Sequence, residues 1–280
     1  MTAGDAGRLV ALAAIWGASF LFTRVTAPAI GPVATADLRM LIGGIALALY
    51  FRLIGFDPEW RRWIRQYAIV GMLTSGFPFL LYSFAALELS AGLLSVLNAT
   101  SPMWGALLSA LFLGERLTGR RCAGLALGIV GVALLSRPES GAGVLAIAAA
   151  LAASFLYGLT GVYLKRWAGD IPARGMAVGT QVMAGLLVLP FLAIAPVPSA
   201  PTPLIVASVL ALGLLCSAVA YVLYFRLIAD IGPTGALTVT YLIPVFGVLW
   251  GALFLGETVS PGMLAGAALV LLGTFFVLRK

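Results

Sequence analysis

The chain has 280 residues, 62% of them hydrophobic and only 10% charged. A soluble domain of that length carries roughly a quarter charged residues, so most of this surface faces something other than water. The net charge of +7 is scattered over short connections and forms no basic stripe, which argues against nucleic acid as a partner.

Charges fall between long apolar runs, as expected where a charge at mid-bilayer is costly. With about 20 apolar residues per crossing, the chain reads as an all-α integral membrane protein of ten transmembrane helices. They cover residues 8–27, 33–54, 66–86, 91–113, 119–136, 143–165, 174–195, 204–227, 233–254 and 261–279. The first run follows a short polar lead and has no small-residue cleavage site behind it, so it reads as a retained helix. Pro196-Val-Pro-Ser-Ala-Pro-Thr-Pro203 is a stiff extended linker between helices seven and eight. Cys122 and Cys216 lie inside apolar runs and read as small core hydrophobes, with neither a disulfide nor a metal site expected.

Basic residues set the orientation. With the N-terminus inside, Arg8, Arg52, Arg61, Arg62, Arg65, Arg116, Arg120, Arg121, Lys165, Arg166, Arg174, Arg226, Arg279 and Lys280 fall on the inner side. Only Arg24, Arg39 and Arg137 fall outside. This bias places both termini in the cytoplasm.

The most informative feature is an internal repeat. Gly105-Ala-Leu-Leu-Ser-Ala-Leu-Phe-Leu-Gly-Glu115 returns as Gly247-Val-Leu-Trp-Gly-Ala-Leu-Phe-Leu-Gly-Glu257, so residue 115 maps to 257 at an offset of 142. The same offset aligns Leu81-Tyr82 with Leu223-Tyr224, Pro102 with Pro244, Gly124 with Gly266 and Arg137 with Arg279. Ala18-Ser-Phe-Leu21 matches Ala153-Ser-Phe-Leu156 at an offset of 135. Each half, 1–138 and 139–280, then holds five spans. Because five is odd, the second half enters the membrane inverted, the recurring design of alternating-access carriers.

Prolines at equivalent places point to a binding site near mid-depth. A proline in a helix frees the carbonyl four residues earlier; Pro102 frees that of Asn98 and Pro244 that of Thr240. With Ser101, these groups would offer carbonyl, amide and hydroxyl partners to a polar ligand, the plainer reading being two kinked, mutually bonded helices. Ser75, Phe79 and Tyr82 match Ser217, Tyr221 and Tyr224, each set on one helical face. Phe79, Tyr82, Tyr221 and Tyr224 could wall an amphipathic substrate, although Tyr82 and Tyr224 also suit an interfacial belt. Trp16, Ser19 and Phe20, their counterparts Ser154 and Phe155, and the neighbours Trp104 and Tyr241 complete the candidate site. For any one of them, ordinary core packing is an equal reading. Gly124, Gly128 and Gly131, like Gly262, Gly266 and Gly273, form small-residue faces for packing between the halves. A monomer is expected, with a homodimer through these faces as the second reading.

Ten spans in an inverted duplication, the Ile15-Trp-Gly-Ala-Ser-Phe20 opening and the Leu-Gly-Glu after helices four and nine resemble the EamA-type branch of the drug/metabolite transporter superfamily. Within it the chain looks most like the YddG-type exporters of aromatic and other amino acids. The resemblance implies a secondary transporter in a bacterial inner membrane, exporting small zwitterionic metabolites, with no cofactor. Nucleotide-sugar and triose-phosphate carriers share that architecture. The related small multidrug pumps keep a membrane glutamate in the first helix, where this chain is neutral, which argues against a cationic drug.

Other classes fit less well. There is no histidine, and all ten carboxylates read as loop or helix-end residues, which leaves neither an enzyme's acid-base cluster nor a proton relay through the bilayer centre. No Arg or Lys reads as mid-span, so an anionic phosphate-sugar is disfavoured; without a proton relay, facilitated export down a gradient or coupling through a substrate group is expected. A primary pump would need a glycine-rich phosphate loop that is absent. A channel is disfavoured by the paired, kinked helices.

Overall fold

The computed structural model describes residues 2–136, 143–168 and 170–278, so Arg137, Arg279 and Lys280 lie outside the described residues. Among the described residues all regular structure is helical. Helix α1 (Ala3–Ile30) starts earlier than expected because Thr2 and Asp5 form a capping box at its first turn. Gly31, at a φ of 85°, turns the chain into α2 (Pro32–Leu53), which opens on proline. The third rod joins α3 (Trp60–Gly71), a π-helical stretch at Met72–Gly76 and α4 (Phe77–Ala85). It too begins early, because Trp60 and Trp63 pack beside the fully buried Tyr67.

The fourth rod is broken into α5 (Ala91–Asn98) and α6 (Ser101–Leu113). Then come α7 (Gly119–Leu135), α8 (Val144–Trp167) and α9 (Ala173–Val188), the last ending in a 3-10 turn at Leu189–Ala193. Another rod joins α10 (Pro203–Leu210), a π-helical stretch at Ala211–Val219 and α11 (Ala220–Ala236); α12 (Val239–Leu255) and α13 (Pro261–Leu278) close the chain. Among the described residues, eight rods are long and apolar enough to cross a membrane. Helices α7 and α12, at 17 residues each, are shorter, reaching about 26 Å at 1.5 Å per residue.

Glycines decide which rods meet. A Cβ on Gly124 would lie 2.6 Å from the Gly273 carbonyl oxygen, and one on Gly131 would lie 2.9 Å from that of Gly266. Helices α7 and α13 therefore cross backbone to backbone and run antiparallel, as residue numbers rise in one and fall in the other. Helices α2 and α9 also run antiparallel, with Gly44 against Val182 and Gly185 against the Leu41 side chain. Gly17 of α1 abuts Gly247 of α12, and Gly158 of α8 abuts Gly105 of α6; Gly105 and Gly247 are related by the offset of 142. Gly128 instead meets Met103, and Gly262 meets no other rod.

Of the two cysteines, Cys216 is buried as expected, but Cys122 is exposed. By helical spacing it lies on the side of α7 away from Gly124 and Gly131. The linker before α10 crosses the end of α1, where Ser199 donates its amide and hydroxyl to the Ala29 carbonyl at 3.1 and 2.8 Å.

The glycine seam carries a direct expectation. Gly124→Val forces α7 off α13 and should destabilise the protein by about 1–3 kcal/mol, read as a lower unfolding midpoint in detergent. Gly119→Ala, whose new methyl meets nothing within 4 Å, is the control and should leave that midpoint in place.

Candidate functional site

The two π-helical stretches occupy positions related by the offset of 142, and each carries a buried serine, Ser75 and Ser217. Such insertions recur at functional sites because they turn side chains off the regular helical face. A side chain from a neighbouring rod reaches each serine. Gln181 of α9 donates from Nε2 to Ser75 Oγ at 2.8 Å, and Arg39 of α2 donates from Nε to Ser217 Oγ at 3.3 Å. Residues 39 and 181 are themselves 142 apart, as are Phe79 and Tyr221. The Arg39 guanidinium stacks 3.9 Å over the Phe79 ring, and the Tyr221 hydroxyl sits beside Gln181 and Ser75. One layer is thus made twice, with a cation in one copy and an amide in the other.

A second group adjoins it. The Tyr82 hydroxyl donates to Asn98 Oδ1 at 3.0 Å and lies 2.9 Å from Ser154 Oγ. Phe20 meets the Tyr82 ring edge-on at 5.6 Å, and Tyr157 stacks on it at 6.3 Å. Tyr157 also feels the charge of Arg39 and lies near Tyr221, so it joins the two groups. Trp16 packs against Tyr221 at 6.4 Å and Tyr224 at 5.3 Å. Buried Tyr82 and Ser154 thus stand beside the partly exposed Trp16, Arg39, Asn98, Tyr157, Tyr221 and Tyr224.

The structure therefore brings Phe20, Tyr82, Asn98 and Ser154 together, and Trp16 with Tyr221 and Tyr224. Other candidates have different employment. The Asn98 carbonyl accepts from the Ser101 hydroxyl at 2.6 Å, and Pro102 opens α6 at the break in the rod, whereas Pro244 is buried inside the continuous α12. Thr240 donates to the Leu237 carbonyl at 2.8 Å, and Tyr241 packs on Phe275 of α13. Trp104 meets Phe155 edge-on at 5.6 Å, and its buried indole N–H has no partner among the described residues. Ser19 is buried and donates to the Trp16 carbonyl at 2.6 Å.

Two expectations about charge are corrected. Arg39 is no outer-loop residue: it lies in α2 and turns its long side chain inward among Phe79, Tyr157, Ser217 and Tyr221. Asp37 is likewise no loop or end residue. It is fully buried in α2, and neither carboxylate oxygen has a partner among the described residues, so an acid does lie within a span. Arg24 of α1 donates to the Ala86 and Leu87 carbonyls beyond the end of α4 at 2.6 and 3.0 Å. Gln181 and Tyr157 were not among the expected site residues. Carrying the offset from Arg39 to Gln181 was the signal that could have found the first.

The two Leu-Gly-Glu copies are used differently. Glu257 accepts from the Ala91 and Gly92 amides at 2.7 and 3.1 Å, capping α5. Glu115 instead bonds Lys165 at 2.7 Å and Arg121 at 3.3 Å. The hydrogen bond from Lys165, aided by both positive charges and opposed by slight burial, holds the Glu115 carboxyl below its ordinary value of 4.5.

Chemically, the central groups offer dipoles, one guanidinium and aromatic faces. Among the described residues no three His, Cys, Asp or Glu side chains gather to hold a metal ion. An EamA-like transporter family model matches residues 8–137 and again 144–279. The chain belongs to the EamA-like transporter family. It is 28% identical over 279 residues to the "Probable terminal-alkyne amino-acid exporter" of Streptantibioticus cattleyicolor, spanning 97% of this chain and 92% of that one. It is 29% identical to Protein PecM of Dickeya dadantii, over 91% and 86% of the two chains. It is 27% identical to the S-adenosylmethionine/S-adenosylhomocysteine transporter of Chlamydia muridarum, over 92% and 86%. A crystal structure 20% identical in sequence superposes with a TM-score of 0.68 over 99% of this chain and 96% of its own, a likeness of fold. This EamA-family chain is therefore a multi-pass membrane protein.

Two outcomes follow from the site's hydrogen bonds and charges. Tyr82→Phe strips Asn98 Oδ1 of its donor and should cost about 1–3 kcal/mol, seen as an unfolding midpoint several degrees below wild type; an unchanged midpoint refutes the role given to the hydroxyl. Because the Glu115 pKa is lowered by folding, its contribution is complete above the ordinary value of 4.5 and lost as pH falls through the folded value. Stability measured against pH should therefore decline in acid, and Lys165→Met should make that decline shallower. Coincident curves would count against the ion pair.

Proposed function

We propose that this protein is a secondary carrier that exports small zwitterionic metabolites, amino acids including aromatic ones, from a bacterial cell by alternating access. In this reading residues 1–138 and 139–280 are inverted repeats about an axis in the membrane plane. Both termini are cytoplasmic, and the substrate sits between the halves. The observation that carries it is the doubled layer of Arg39, Ser217 and Phe79 against Gln181, Ser75 and Tyr221, which draws on both halves at once.

Three further features support it. Repeat-equivalent helices, α7 with α13 and α2 with α9, cross antiparallel, as an inverted pair requires. The unlike bonding of Glu115 and Glu257 suits a molecule held in one of two alternating states. Neutral dipoles with a single guanidinium suit a solute bearing one carboxylate, and two of the relatives are named for amino-acid-like cargo. A sugar-phosphate carrier is the second reading, favoured by Arg39 alone; one cation balances a carboxylate better than it balances a phosphate of nearly two charges.

The test is flux in proteoliposomes. Uptake of at least one of the twenty standard amino acids should saturate and show counterflow, with sugar phosphates poorly carried. Flux that rises linearly with concentration and shows no counterflow would identify a channel and overturn the carrier reading.

A further inference from the structure

Arg39 and Gln181 are the two members of the doubled layer whose polar atoms are left over. Gln181 is fully buried and spends its amide nitrogen on Ser75, but among the described residues its Oε1 accepts no hydrogen bond. A buried acceptor left unmade costs free energy comparable to a lost hydrogen bond, so its retention calls for a donor from outside the chain. Arg39 is its counterpart. Its Nε is tethered to Ser217 and its plane rests on Phe79, which fixes the direction of the guanidinium fork. Among the described residues no carboxylate lies within ion-pairing distance of it. A fixed guanidinium with open N–H groups is the group best matched to a planar carboxylate.

The Tyr221 hydroxyl links the two, lying beside Gln181 and within the field of Arg39. We propose that Arg39 and Gln181 form a zwitterion clamp. The Arg39 Nη groups donate to a substrate carboxylate, and Gln181 Oε1 accepts from the ammonium group on the same carbon. The Tyr221 hydroxyl completes the polar wall, and Trp16, Tyr157 and Tyr224 face the substrate's side chain. The two positions correspond at the offset of 142, so one amide paired with one cation makes the binding layer polar from end to end. A free α-carboxylate and a free α-ammonium are then both required, whatever the side chain.

The clamp rests on the carrier reading, and the experiment separates the two. Purified wild type, Arg39→Gln, Arg39→Lys and Gln181→Leu are reconstituted. Each is assayed with the best-carried standard amino acid, its carboxamide, which lacks the carboxylate, and its desamino acid, which lacks the ammonium. Wild type should prefer the free amino acid over both analogues by about tenfold or more. Arg39→Gln should raise the KM for the amino acid by a similar factor and leave that for the carboxamide unchanged, so that the preference between them disappears. Arg39→Lys keeps the charge but not the fork and should fall between. Gln181→Leu should erase the preference over the desamino acid alone.

Saturable wild-type flux without discrimination against the carboxamide, or an Arg39→Gln protein that still discriminates, overturns the clamp and leaves the carrier standing. Wild type that carries no amino acid overturns both. Should Arg39→Gln fail to give a monodisperse protein, the Arg39→Lys KM and the wild-type analogue series decide, and an unchanged Arg39→Lys KM overturns the clamp.

Discussion

Hydrocarbon offers no hydrogen bonds, so each irregularity in a membrane helix needs an internal partner, and that requirement shapes this molecule. Where the fourth rod breaks, the Leu97 carbonyl accepts from Thr100 and Ser154, that of Asn98 from Ser101, and that of Ala99 from Thr274 on a distant rod. Beyond α4, Arg24 covers the bare carbonyls; at the start of α5, Glu257 covers the bare amides. The polar side chains within this apolar fold are largely spoken for by the backbone. Among the described residues, the exceptions are a buried atom each on Thr35, Trp63, Trp104 and Gln181, both carboxylate oxygens of Asp37, and the open N–H groups of Arg39.

The same economy explains the seams. Without water to drive apolar faces together, helices associate by close contact of small residues. The glycine crossings of α7 on α13 and α2 on α9 let the rods approach closely. Aromatic bulk is pushed elsewhere, into the space flanked by α1, α4, α8 and α11. Trp16, Phe20, Tyr82, Tyr157, Tyr221 and Tyr224 collect there. Site and scaffold are in this sense one arrangement, large residues filling what small residues leave open.

Much of this was legible in the amino-acid order. Apolar runs located the rods, and the offset of 142 picked out Ser75 with Ser217 and Phe79 with Tyr221 before any coordinates. What stayed hidden was side-chain direction. Arg39 sits seven residues past the start of α2, where counting charges by loop assigns it to the outer surface, yet its length lets it reach back to Ser217. Asp37 falls under the same rule for the same reason. Asn98 misled in the opposite sense. The rule about proline and the freed carbonyl holds, but Ser101, three residues on, is close enough to satisfy that carbonyl locally. Tyr157 matches a phenylalanine, Phe22, at the offset of 135, so repetition gave no hint of its hydroxyl.

The unlike fates of Glu115 and Glu257 make the two ends of the molecule answer differently to the fluid around them. The Lys165 partner of Glu115 is 62% exposed, so dissolved salt screens that bond. The carboxylate of Glu257 is engaged by two backbone amides in a part-buried setting, which mobile ions reach poorly. Raising the salt therefore weakens the Glu115 bond at one end of the fourth rod, while the Glu257 contacts at its other end hold.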